Sequence, residues 1–100
     1  MADHLTELDE TLRRILSEPS TAARIALATA DVLDEDPHLT VNAWVLGYAT
    51  TIGARLVTDT LPDVVADEAI RTVARAMPAP YLAETCGEYA IRVRDTARSL

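Results

Sequence analysis

Five prolines, Pro19, Pro37, Pro62, Pro78 and Pro80, divide this 100-residue chain into pieces of helical length. Proline breaks a helix interior, because its ring removes an N–H and clashes with the preceding turn, but it is welcome in a first turn. Each proline therefore reads as a boundary, with helices expected over about 3–17, 20–33, 37–58, 62–76 and 80–99. The connections are short, which favours antiparallel neighbours. Three glycines leave little material for hairpin turns. The 49% hydrophobic content leans on Ala, Leu and Val, which suits closely packed helices. The expected fold is all-α, a compact bundle of about five helices forming one domain over 1–100, since a chain this short has room for one core.

The segment from Leu39 to Ala54 carries no charged residue, although charged residues make up 25% of the chain. As a helix it would extend about 24 Å, short of the roughly 20 predominantly apolar residues that a membrane span requires. Thr40, Asn42, Thr50 and Thr51 dilute it further. Projected on a helix, Val41, Trp44, Val45, Tyr48, Ile52 and Leu56 form a bulky face. Leu39, Ala43, Leu46, Thr50, Ala54 and Val57 form a slimmer one, flanked by Gly47. A helix that is apolar all round is normally enclosed by neighbours, so 37–58 is expected to be the central helix. Gly47 on it and Gly87 on the last helix are expected to allow close helix packing, which would offset the roughly 1 kcal/mol that glycine costs in a helix.

The other segments show plainer patterns. Leu5, Leu8, Leu12 and Ile15 form a narrow stripe on 3–17, suited to lying on the bundle edge or to pairing with another chain. The Ala-rich 20–33 segment can be approached from several sides. On 62–76, Asp67, Arg71 and Arg75 make a four-spaced ladder that reads as a solvated face. On 80–99, Leu82, Cys86, Tyr89, Val93 and Leu100 share a stripe, and Ile91 projects away from it. Helices 20–33, 37–58 and 80–99 thus all call for burial on more than one side, which a bundle this small provides for only one. The surplus apolar surface points to a homodimer.

Composition narrows the chemistry. The net charge is −7, with nine arginines and no lysine. Such a chain repels nucleic-acid phosphates and anionic lipid, so neither nucleic acid nor membrane is an expected partner. The N-terminal residues lack a secretory pattern, and the lone cysteine, Cys86, cannot form an intrachain disulfide; both favour the cytoplasm. Cys86 lies on an apolar stripe, where a thiol behaves as a small hydrophobe rather than a nucleophile. Asp31, Asp34, Glu35, Asp36 and His38 crowd one junction, and Asp34, Asp36 and His38 are the residues that could hold a divalent cation. The plainer reading has Asp36 capping the next helix and Pro37 in its first turn. No cofactor motif and no catalytic constellation stands out.

The function expected is that of a small acidic protein-interaction module, an adaptor, regulator or assembly subunit without catalysis of its own. Trp44 and Tyr48, four apart, are its expected interface anchors, or else simply core, with Leu12 and Ile91 as secondary anchors. A helical bundle binding a small hydrophobic ligand is one alternative. An accessory enzyme subunit using the acidic cluster is the other.

Overall fold

The computed structural model describes residues 19–100. The expected helix over 3–17, with Leu12 and its stripe, lies outside the described residues. Among the described residues the protein is all-helical, with 67% helix and no strand. The helices are α1 (Thr21–Leu33), α2 (Ala43–Thr58), α3 (Asp63–Ala76) and α4 (Cys86–Ala97). Among the described residues, no helix is long and apolar enough to cross a membrane.

α1 begins where a capping side chain directs it. Ser20 Oγ accepts from the Ala23 amide at 3.0 Å, satisfying a first-turn N–H that has no partner within the helix. The same hydroxyl donates to the Leu100 carbonyl at 2.8 Å and ties the start of α1 to the end of the chain. α1 packs against all three other helices and buries Ala22, Ala23, Ile25, Ala26, Thr29, Ala30 and Leu33. It is the central helix, and the expectation that 37–58 would be central is corrected. Four alanines and a threonine among those buried residues let neighbours approach on several sides, which bulky side chains would prevent.

α2 meets α1 along Val45, Ala49, Gly53 and Ala54, a seam of mostly small residues. Gly53 is the glycine that close packing requires. A Cβ placed there would stand 2.5 Å from Thr29 Oγ1 and 2.8 Å from the Thr29 backbone nitrogen. At Gly47 a Cβ would meet nothing within 4 Å, so the expected close packing there is corrected. Gly87 is close-packed, but against the Pro37 backbone and ring rather than against α2: a Cβ would lie 3.0 Å from Pro37 Cβ and 3.2 Å from its carbonyl oxygen.

Two helix starts also differ from expectation. Residues 37–42 are not helical, because Asn42 supplies the cap: its Oδ1 accepts from the Val45 amide at 2.8 Å. Asp36 is therefore not the cap of α2, and Pro37 lies in a turn before it. α4 starts at Cys86 rather than near Pro80, because Thr85 and Glu88 close a reciprocal capping box. Pro78, Pro80 and the left-handed Ala83 (φ 60°) hold the preceding segment in a non-helical path. Leu82 is consequently fully exposed rather than part of the α4 stripe. Cys86, Tyr89 and Val93 are buried on that stripe as expected.

α3 follows Pro62 with Asp63 in its first turn, where the positive end of the helix favours an acid. It is the shallowest element, burying Ala69 and Val73 and leaving Val64 and Val65 exposed.

Candidate functional site

The feature that calls for a function is the outer face of α2. Asn42 fixes the first turn, and the next residues to point outward are Trp44 and, one turn on, Tyr48. Their rings stack with centroids 5.8 Å apart and planes 8° from parallel. Trp44 is 76% exposed and Tyr48 53%, so neither is core. Buried aromatics dominate core energetics, and leaving two of them stacked in water forgoes that stabilisation. Leu39, just ahead of the helix, and Leu56 near its end are exposed as well.

Beside the aromatic pair lies a cleft of about 160 Å³. Val32, Leu33, Leu39, Val45, Ala49 and Cys86 make its apolar wall, and Glu35 and Asp36 also line it.

The loop that carries Leu39 and Asn42 is laced to the start of α4. The Cys86 amide donates to the Leu39 carbonyl at 2.7 Å, and the Gly87 amide to that of Pro37 at 2.9 Å. Thus two first-turn amides of α4 find their acceptors in the loop. The Val41 amide donates to the Glu84 carbonyl at 2.9 Å, and Thr40 and Thr85 form an isolated antiparallel bridge.

Glu84 anchors the other side of that lacing. Its carboxylate, with the side chain 4% exposed, accepts from Arg92 Nη1 at 2.6 Å and from the Tyr81 amide at 3.0 Å. Arg92 lies over the Tyr81 ring, 3.7 Å from its centroid, and Nη2 donates to the Ala79 carbonyl at 3.2 Å. The buried charge is therefore both paired and hydrogen-bonded, the condition for tolerating it. Neither Glu84 nor Arg92 stands out in the sequence, because eight positions separate them and their pairing depends on the turn between.

At the acidic junction, two of the carboxylates are paired with an arginine of α4. Arg94 Nη2 reaches Asp31 at 2.9 Å and Asp34 at 2.5 Å, which joins the end of α1 to α4. Asp36 and His38 lie in the exposed turn that follows. Among the described residues, no group of three His, Cys, Asp or Glu side chains converges on a point where a metal could sit. Ile91 is exposed but lines a separate groove with Arg92, Arg94 and Arg98, so it is not brought to Trp44. Those three arginines pair with Glu84, with Asp31 and Asp34, and with Asp95, which neutralises the groove.

Cys86 and Tyr89 are buried and prefer their neutral forms. Burial pushes the Cys86 thiol up, and the nearby carboxylates of Asp36 and Asp34 push it further. Burial likewise raises the Tyr89 phenol; Arg92 opposes the shift and Glu84 adds to it. Tyr89 Oη donates to the Pro78 carbonyl at 2.7 Å. Both groups bind their proton more tightly folded than unfolded. The resulting stability is complete below the unfolded values, about 8.5 for Cys and about 10 for Tyr, and is lost as pH rises through the raised folded values. Urea midpoints should therefore fall as pH rises above about 8.5, and Tyr89→Phe should flatten the part of that fall above about pH 10. Midpoints independent of pH over this window would contradict it.

The sequence pointed to Trp44 and Tyr48 as a pair but left open whether they were buried. In the helical projection Leu39 and Leu56 fall on different faces, whereas the structure leaves both exposed. The asparagine at position 42, ahead of an apolar run, was the available signal that Leu39 would lie outside the helix. Comparison with protein-family models, with curated proteins and with solved structures finds no match to this chain.

Proposed function

We propose that the protein is a small helical interaction module, an adaptor, regulator or assembly subunit, that engages another protein through the outer face of α2. The observation that carries this reading is the stacked, exposed Trp44–Tyr48 pair beside an apolar cleft. Tryptophan and tyrosine are the residues most enriched among those that dominate binding energy at protein interfaces. An uncharged segment from Leu39 to Ala54 surrounds them in a chain of net charge −7. Charge depletion at the centre of a patch is the compositional mark of an interface core.

The size of the cleft favours a protein partner over a free ligand. Small-molecule sites usually enclose about 300–1,000 Å³. At about 160 Å³ this cleft is nearer the cavities that take a benzene-sized group, which suits one inserted side chain. Glu35 and Asp36 on its lining favour a partner that places a cation next to that side chain.

The test is the double variant Trp44→Ala/Tyr48→Ala. Because both side chains stand in water in the single chain, its thermal unfolding at high dilution should stay within about 0.5 kcal/mol of the parent, the usual range for surface changes. Its capacity to hold partner proteins on an affinity matrix should drop at least about tenfold, the loss of roughly 1.4 kcal/mol. An unfolded variant would mean that the pair is structural, and undiminished binding would place the interface elsewhere.

A further inference from the structure

We infer that the protein docking on the α2 face is a second copy of this chain, with the two α2 helices antiparallel about a two-fold axis. The inference rests on the reading of that face as an interaction surface.

Charge is the first argument. Two chains of net charge −7 repel, so they can meet closely only where neither carries exposed acid. The uncharged segment from Leu39 to Ala54 provides such a face. Charges of opposite sign stand at the two ends of that face. Glu35 and Asp36 line the cleft at the Trp44 end, and Arg55 is exposed at the other. A two-fold axis reverses one helix on the other, so an axis passing between Tyr48 and Thr51 sets Arg55 of each copy level with Trp44 of the other. The guanidinium then meets the indole face and the Glu35–Asp36 edge, and it does so twice, as an isologous interface requires. Parallel helices would instead bring like charges together at both ends.

Shape gives the second argument. Leu56 is 69% exposed near the Arg55 end, and the same axis carries it towards the cleft beside Trp44 in the other copy. The cleft, about 160 Å³ and walled by Leu33, Leu39, Val45 and Ala49, accepts an aliphatic side chain. Near the crossing point, Gly47 adds no bulk, and nothing lies within 4 Å of where its Cβ would be. Helices can therefore approach closely there. Asp59, one turn past Arg55, lines the same shallow groove as Arg55 and Leu56.

Sedimentation equilibrium of the 100-residue chain across a hundredfold dilution tests this, with Arg55→Glu, Asp36→Arg, the two combined in one chain, and Trp44→Ala. The parent should dimerise, and each single variant should weaken the dimer at least tenfold. The combined charge swap should recover most of the loss, because it restores opposite signs across the axis. All the positions are exposed, and circular dichroism confirms the fold of each variant. A parent that stays monomeric with Trp44 open to acrylamide overturns the second copy while leaving the interaction face standing. A monomer with Trp44 shielded also overturns it, and would assign the face to residues 1–18 of the same chain. A dimer that is indifferent to Trp44→Ala overturns both this inference and the reading of the face. A dimer weakened by Trp44→Ala but not restored by the charge swap overturns the antiparallel arrangement.

Discussion

Replacing Arg92 with alanine is expected to cost about 3 kcal/mol of folding stability. The change leaves the Glu84 carboxylate, 4% exposed, without its counterion. Breaking a buried pair from one side typically costs about 3–5 kcal/mol, and the low end applies because Arg92 is itself 25% exposed and water can take its place. In a domain this small the midpoint of thermal unfolding should drop by roughly 12–24 °C. Glu84→Gln on the Arg92→Ala background should recover part of the loss, since an amide is cheaper to bury than a carboxylate. A drop of less than about 4 °C, the equivalent of 1 kcal/mol or less, would mean that the pair is solvated and contributes little.

The same variant links stability to the candidate site. Glu84 accepts from the Val41 amide through its backbone, and Leu39 and Pro37 accept from the first amides of α4. This lacing sets the path of the loop that ends in the Asn42 cap and so aims the first turn of α2. Loss of the Arg92 anchor should therefore speed hydrogen exchange at Val41, Cys86 and Gly87 before it affects the middle of α1.

Gly53→Ala should destabilise by about 2 kcal/mol, whereas Gly47→Ala, on the same helix, should stabilise by up to about 1 kcal/mol. The contrast follows from what a methyl group meets. At Gly53 it meets Thr29 Oγ1 at 2.5 Å and the Thr29 backbone at 2.8 Å and 3.0 Å. Thr29 cannot turn aside freely, because its hydroxyl donates to the Ile25 carbonyl at 2.8 Å. The helices must separate instead, an overpacking cost of roughly 1–3 kcal/mol set against the gain in helix propensity. At Gly47 only the propensity gain remains. Denaturant midpoints of dilute protein read both changes. Equal effects at the two positions would contradict the packing of α1 on α2.

These two glycines also show how much of the molecule the sequence disclosed. The proline spacing located α1 and α3 to within a residue or so, because Ser20 and Pro62 mark starts that local chemistry dictates. The beginnings of α2 and α4 were missed by several residues. There Asn42 and the Thr85–Glu88 capping box overrode the prolines upstream. Both signals are present in the sequence, and a side-chain cap fixes a helix start more closely than a proline several residues upstream.

The rotation of α2 was harder to read. Neither the bulky nor the slim face of the projection is the buried one as a whole: the seam is Val45, Ala49 and Gly53, at a spacing of four. A close crossing against Thr29 needs small residues, and that turned Trp44 and Tyr48 outward. An amphipathicity argument ranks faces by hydrophobicity and cannot distinguish a face buried within the chain from one reserved for a second protein. The Glu84–Arg92 clamp was invisible for a different reason, since it exists only once the turn around Ala83 has formed.

The central claim is that the α2 face is open in the single chain and covered when the protein is assembled. Trp44 is the only tryptophan, so its emission reports on that face alone. The most direct measurement is acrylamide quenching of Trp44 as protein concentration rises. Quenching close to that of a free indole at high dilution, falling severalfold as association proceeds, is the predicted result. Quenching that remains equally efficient while the protein associates would show that assembly leaves Trp44 uncovered, and would contradict the account.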